Sequence, residues 1–119
     1  LPDNPALERF NKDFTAVGGN PSSIFVAHGF DSTMLLALAI EKAGGTDRAA
    51  IAKALREVST GEGEQVGPGE WRKAVGLLKE GKKINYQGAS GPIEFDQAGD
   101  VPGIIAEWLI QGNTFVQGP

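Results

Sequence analysis

Apolar residues recur at helical spacing in three stretches that alternate with polar residues. The first predicted helix runs from Pro5 to Ala16, and a proline in the first turn suits a helix start. A further helix is predicted from about Asp47 to Val58, with Thr46 as its cap, and another from Glu70 to Glu80. Each has one apolar face, so each is expected to be covered on one side.

A fourth helix differs because Met34 to Ile40 are seven consecutive apolar residues. A β-favouring run from Ile24 to Val26 predicts a strand before it, Asp31 or Ser32 is expected to cap its start, and the pair Gly44-Gly45 to end it. A helix that is apolar on every side must be covered from more than one direction, which predicts a core helix. Seven residues are far fewer than the ~20 that span a bilayer.

Short β-favouring runs dominate the last third of the chain. The run Ile84–Tyr86 is followed by Pro92–Asp96, whose alternation predicts a half-buried edge strand. A strand from Val101 to Ile110 is expected to bend at Pro102-Gly103, and Thr114–Val116 is the last predicted strand. The predicted fold class is therefore α/β, with helices first and a β-meander last.

The segment from Ser59 to Gly69 has no apolar period and contains four glycines, which predicts a loop. Its glycines do not have the GxGxxG spacing of a phosphate-binding loop, and Glu62 and Glu64 would repel an anion. We therefore do not assign it to phosphate.

Composition narrows the possible functions. A length of 119 residues suits one domain. A net charge of -4 leaves no basic face for phosphates, which argues against a nucleic-acid partner. The chain has no cysteine, which excludes thiolate metal sites, thiol nucleophiles and disulfides, and one histidine makes a poor transition-metal site. The sequence therefore predicts no metal and no cofactor.

The candidate chemistry centres on His28, which lies three residues before Asp31. The pair could perform acid–base catalysis, His28 could contact a ligand, or it could simply bond at a helix start that Asp31 caps. No neighbouring serine, cysteine or second base completes a nucleophilic set. A binding function is therefore favoured, and an enzyme using His28 with Asp31 or Glu94 is the alternative.

Three other motifs favour structural interpretations. The sequence Gly88-Ala89-Ser90-Gly91 lacks the last glycine of a nucleophile elbow and predicts a turn. The acidic group Glu94, Asp96 and Asp100 lacks the spacing of a calcium loop, and Gly99 is expected at positive φ in a tight turn. Both Trp71 and Trp108 are expected in the core, with an aromatic platform for a sugar or nucleobase as the alternative.

Several of these segments together resemble one family. They are similar in order and spacing to segments of the substrate-binding proteins of ABC transporters, of the branched-chain amino-acid (Leu/Ile/Val-binding) type. The segments are His28-Gly29-Phe30-Asp31 followed by the apolar helix, then the helix after Thr46, and finally Ile84 to Asp96 with Gly99-Asp100-Val101. The resemblance covers nearly the whole chain.

The resemblance implies a two-lobed periplasmic binding protein of the type I fold, which holds a small ligand between lobes. The family is about three times longer, so the chain would match its C-terminal third, with residues 1–100 in the first lobe and 101–119 crossing to the second. The start Leu1-Pro2-Asp3-Asn4-Pro5, without a leader, likewise predicts a fragment cut in a loop.

The resemblance also implies a site and partners. Carried over to this chain, the ligand contacts of the first lobe are Phe25, Ala27, His28 and Asp31. The implied function is a non-enzymatic, periplasmic or extracytoplasmic solute-binding component, free or membrane-anchored. It binds amino acids or aromatic or organic acids and delivers them to a membrane permease. A ligand-sensing domain of a receptor or regulator is the alternative.

Two expectations follow for the chain alone. It is expected to bind its ligand weakly or not at all, because most contacts would lie on absent residues. It is also expected to form a homo-oligomer, because the core helix would lack part of its cover, at a cost of about 1.5–3 kcal/mol for each exposed large side chain.

Overall fold

Four helices and five strands make up the part of the chain that this computed structural model describes, residues 3–103 and 105–118. Their bounds are α1 Pro5–Ala16, α2 Val26–Ala43, α3 Arg48–Glu57, β1 Glu64–Val66, α4 Trp71–Lys79, β2 Ile84–Gly88, β3 Gly91–Pro92, β4 Trp108–Gln111 and β5 Thr114–Gln117. Leu1 and Pro2 of the predicted loop, and Ile104 of a predicted strand, lie outside the described residues. The mixture of helix and sheet confirms the α/β class.

The ends of α1 and α3 follow from their caps. The side chain of Asn4 accepts hydrogen bonds from the amides of Ala6 and Leu7, and α1 has the predicted bounds. The prediction that Thr46 caps α3 was wrong, because the carboxylate of Asp47 accepts the Ala50 amide at 2.8 Å. Threonine and aspartate are both preferred at the N-cap of a helix, so sequence preference alone could not decide between Thr46 and Asp47.

The start of α2 is where the sequence prediction failed most. The structure has no strand at Ile24–Val26, since Val26 already opens the helix, and Asp31 and Ser32 lie inside it rather than at its cap. The helix passes through Gly29, whose amide donates to the carbonyl of Phe25 at 2.9 Å. A helical glycine costs only about 1 kcal/mol, so tertiary packing overrides it. The predicted end is confirmed, with Gly44 in the left-handed conformation.

A small sheet forms where a loop was predicted. Strand β1 pairs in parallel with β2 across helix α4, with Gln65 opposite Asn85, so the prediction of a loop throughout Ser59–Gly69 was wrong. The sequence gave little indication of β1, because this strand is only three residues long and follows Gly63. A glycine is required at position 63 because the backbone of β2 passes close to it, and a Cβ there would lie 2.5 Å from the carbonyl carbon of Ile84.

The antiparallel strands are shorter than predicted. Strand β2 pairs with β3 only as far as Pro92. The predicted strand Pro92–Asp96 was therefore wrong beyond Pro92, although Ile93 is buried. The described part of Val101–Ile110 is strand only from Trp108, and β4 pairs with β5 as a separate hairpin. The predicted last strand is confirmed as β5.

The core lies around α2, which packs against α3, α4 and β2. Leu35, Leu38 and Ala39 of α2 are buried, which confirms its place in the core, but Leu36 on its other side is 49% exposed. Trp71 packs against the core as predicted. The prediction for Trp108 was wrong, since this side chain is 59% exposed on the hairpin. No helix of the described residues is long and apolar enough to cross a membrane.

Candidate functional site

The first turn of α2, with the residue before it, has the features of a binding site. We call the segment from Phe25 to His28 the α2 entrance. Phe25 has φ 64°, and no other described non-glycine residue has a positive φ. A bulky residue in the left-handed region is strained by roughly 1–2 kcal/mol, and such strain clusters at functional sites. The Phe25 side chain is nevertheless 73% exposed, so burial of the ring does not explain the strain.

The α2 entrance is electrostatically suited to an anion. No side chain caps the first turn of α2, and no acidic residue lies in it. Amide N–H groups at a helix start carry a partial positive charge and favour anionic groups such as carboxylates. The imidazole of His28 stands edge-on to the Phe25 ring, with centroids 5.5 Å apart, and Ala27 is half-buried beside them. The entrance therefore offers an aromatic surface next to unpaired amides.

Asp31 lies one turn deeper and is only 2% exposed. Its Oδ1 accepts hydrogen bonds from the Tyr86 hydroxyl and the Ala89 amide, each at 2.9 Å. Its Oδ2 accepts from the Ser90 amide at 2.7 Å and from the Ser90 hydroxyl at 2.6 Å. Four donors thus satisfy both oxygens of a buried carboxylate, which would otherwise be costly to keep away from water.

The carboxylate also affects its neighbour Tyr86. Burial raises the pKa of the Tyr86 hydroxyl far above its ordinary value, and the negative charge of Asp31 and the hydrogen bond to it act in the same direction. Tyr86 is fully buried. Its hydroxyl is therefore a fixed donor to Asp31.

The turn from Gly88 to Gly91 joins two helices to β2, and we call it the joint turn. Asp31 of α2 accepts from two amides of this turn. From α1, the side-chain amide of Asn4 donates to the carbonyls of Gly88 at 3.4 Å and Ala89 at 3.1 Å. A Cβ on Gly88 would lie 2.6 Å from Oδ2 of Asp31, so only glycine fits there.

A cavity of about 420 Å³ borders the joint turn. Its lining includes Asn4, Gln87 and Ser90, and Asn4 is distant in sequence from the other two. Sequence reasoning gave no signal for it, because no local pattern links residues so far apart.

The acidic turn after β3 has a structural explanation. Oδ1 of Asp96 accepts from the amides of Gly99 and Asp100, each at 2.9 Å, and Gly99 has the predicted positive φ. These backbone hydrogen bonds lower the pKa of the Asp96 carboxyl. Among the residues that the structure describes, no three potential metal ligands cluster.

The four residues predicted to contact ligand thus separate into two groups. Phe25, Ala27 and His28 lie together at the α2 entrance, whereas the carboxylate of Asp31 bonds to β2 and the joint turn. Their assignment as ligand contacts stays a prediction. Sequence reasoning missed the link between Asp31 and Tyr86, which lie 55 residues apart.

Residues 2–107 match the family described as the receptor family ligand binding region. The chain belongs to this family. The match confirms the resemblance to type I periplasmic binding proteins of the leucine and branched-chain binding kind. Since the family is defined by ligand binding, it gives no support to catalysis by His28 and Asp31.

The chain is also similar to a named relative, the chemotactic signal transduction system substrate-binding protein BasB of Halobacterium salinarum (strain ATCC 29341 / DSM 671 / R1). The two are 31% identical over 78 residues, which cover 66% of this chain and 19% of the relative. The matched part of the chain therefore spans about a fifth of the length of this relative. No solved structure matches it.

Proposed function

We propose that this chain is part of an extracytoplasmic solute-binding protein that captures an amino acid or a related small carboxylate and delivers it to the permease of an ABC importer. Phe25, Ala27 and His28 contact the ligand. Membership of a ligand-binding family and similarity to a substrate-binding protein support this function. The observation that carries the site is the strained, exposed Phe25 in front of an uncapped helix start.

The ligand chemistry follows from what the α2 entrance offers. A carboxylate accepts from the free amides of the first helical turn, where it also meets the positive end of the helix dipole. The exposed Phe25 ring and the neighbouring His28 then cover an apolar or aromatic side chain of the ligand.

Residues 1–100 belong to one lobe in this proposal, and residues 101–119 cross to the second. The β4–β5 hairpin supports this division, since Trp108, Ile110 and Phe115 are all exposed on it. A two-stranded hairpin is marginally stable on its own, so an apolar one requires cover from another part of the protein. The second lobe would supply that cover and further ligand contacts.

A sensory role is the second candidate. It is favoured by the name of the relative, which belongs to a chemotactic signal transduction system, and by the receptor family to which the chain belongs. Both roles use the same ligand site, and they differ in which partner protein recognises the ligand-bound form. Co-purification of the longer protein with a permease or with a signalling receptor distinguishes them.

The site is tested by nuclear magnetic resonance of the 119-residue chain, with leucine, phenylalanine and benzoate as probes. We expect weak binding, because one lobe supplies only part of the contacts, with shifts concentrated at the amides of Val26, Ala27 and His28. Replacing Phe25 by glycine should abolish these shifts. The free energy of unfolding should stay level or rise by up to about 1 kcal/mol, because glycine relieves the strain but adds entropy to the unfolded chain.

The matched control is Phe115→Ala, which removes an equally exposed ring from the hairpin and should leave the shifts intact. Shifts that survive Phe25→Gly, or that lie away from the α2 entrance for all three probes, would contradict the site. Calorimetry provides a second check, because tight binding by the isolated chain would contradict the division into two lobes.

A further inference from the structure

We propose that Asp31 is a positioning residue, which holds the α2 entrance in its binding geometry by tying α2 to the joint turn. This inference rests on the proposed function only in placing the ligand at the entrance. The tie itself is a property of the described contacts.

The hydrogen bonds to Asp31 form a strong tie. Both oxygens of Asp31 are used, and the four hydrogen bonds are between 2.6 and 2.9 Å long. Hydrogen bonds to a charged group are roughly twice as strong as neutral ones. Removal of one acceptor would also leave buried donors unsatisfied, which is more costly than the loss of the bond itself. The contact therefore resists small displacements of α2.

Asp31 lies close to the α2 entrance along the helix. Asp31 follows Ala27 by four residues and His28 by three, so it lies below them on nearly the same side of the helix. The next polar residues of α2, Ser32 and Thr33, donate back to the carbonyls of His28 and Gly29 and not to the joint turn. Asp31 is thus the polar anchor nearest to the entrance.

The groups that Asp31 bonds to are themselves held in place. The joint turn is itself fixed, because Asn4 of α1 bonds its carbonyls while Asp31 bonds its amides. Tyr86, the remaining partner, belongs to the buried strand β2. A displacement of the entrance must therefore either break the tie or move α1 and β2 as well.

The experiment compares backbone hydrogen exchange in the 119-residue chain and its variants. In Asp31→Asn an amide N–H₂ replaces one oxygen and faces an N–H donor of the joint turn. We expect exchange at Gly29 to Thr33 to become at least about tenfold faster relative to exchange at Leu38 to Ala43 of the same helix. Glu41→Gln makes the same chemical change at an exposed position on α2 and should alter neither region.

A second pair of variants keeps the proposal testable if Asp31→Asn does not fold. Ser90→Ala removes one hydroxyl donor from an exposed residue and should accelerate exchange at Gly29 to Thr33 in the same direction but less. Ser90→Thr retains the hydroxyl and should restore protection. Equal acceleration along the whole of α2 in Ser90→Ala, or none, would overturn the positioning role.

Ligand probes then separate this inference from the proposed function. If leucine, phenylalanine and benzoate bind nowhere on the parent chain while Ser90→Ala loosens Gly29 to Thr33, the tie stands and the function fails. If a probe binds at the α2 entrance of the parent chain and binds Ser90→Ala and Asp31→Asn equally well, the function stands and the positioning role is overturned.

Discussion

The residues with the clearest functional character are strained or buried against their chemical preference. Phe25 adopts a backbone conformation that favours glycine while exposing its ring, and Asp31 keeps a carboxylate inside the core. Each arrangement is unfavourable locally and is maintained by its surroundings, through the helix that follows Phe25 and the four donors around Asp31. Residue-level departures of this kind are expected at sites that evolved for binding rather than for stability.

The buried contact between Tyr86 and Asp31 can be tested by following protein stability as the pH is raised. It is the single tyrosine of the chain, and its hydroxyl pKa is raised above the ordinary value of 10.0 in the folded state. The folded state thus holds this proton more tightly than the unfolded state. The stability from Tyr86 is fully present below pH 10 and is lost as the pH rises above it.

We therefore expect tyrosinate absorbance to appear together with the loss of far-ultraviolet circular dichroism, and not before it. Tyr86→Phe serves as the control, because its stability should fall less steeply above pH 10. A tyrosinate signal that develops near pH 10 in a chain with intact circular dichroism would contradict the buried contact with Asp31.

At the scale of elements, the sequence predicted what depends on local periodicity. The bounds of α1 and the glycine at the end of α2 follow from neighbours within a few residues, and both predictions were confirmed. The start of α2 and strand β1 depend on partners far away in sequence. Ile24–Val26 has strand propensity but no strand to pair with, whereas Glu64–Val66 has little propensity and pairs with β2.

The candidate site likewise has one part that local sequence predicts and one part that depends on residues distant in sequence. Its residues at the α2 entrance were identified from a sequence resemblance, because they are adjacent in the chain. The tie between Asp31 and the joint turn connects residues 58 and 59 positions apart, so no local pattern could reveal it. Sequence reasoning instead gave Asp31 two local roles, a helix cap from its residue type and a ligand contact from the resemblance.

The joint turn provides the element-scale prediction. A Cβ on Gly88 would lie 2.6 Å from Oδ2 of Asp31 and 2.8 Å from the Gly91 carbonyl oxygen, and backbone cannot easily give way. We expect Gly88→Ala to lower the free energy of unfolding by at least about 2 kcal/mol in urea titration. The matched control is Gly76→Ala in helix α4, where a Cβ meets open space and should stabilise by about 1 kcal/mol. Similar effects of the two substitutions would contradict the close packing of the turn.

At the scale of the whole molecule, apolar surface remains uncovered on α2 and on the β4–β5 hairpin. Leu36 and Ile40 lie four residues apart on α2 and are both exposed, and the β4–β5 hairpin exposes aromatic side chains. Exposed apolar patches of this kind usually mark contact surfaces. The isolated chain is therefore expected to associate with itself through α2.

Light scattering tests this expectation. The 119-residue chain should show a mass of two or more copies, and the double substitution Leu36→Glu with Ile40→Glu should reduce it to one, because charges cannot be buried unpaired in an apolar contact. Ile110→Glu on the hairpin is the control and should leave the mass unchanged. A parent chain that already has the mass of one copy at moderate concentration would refute self-association.

The joint turn also determines the order in which the chain can acquire its final form during synthesis. Helices α1 and α2 leave the ribosome long before the turn that secures them, since Asn4 waits for a partner 85 residues later and Asp31 for one 59 residues later. Loops of this length close late, because their closure loses entropy before any contact compensates for it. Asp31 therefore stays without its partners until at least 55 further residues have been made, and the α2 entrance takes its final geometry only after that.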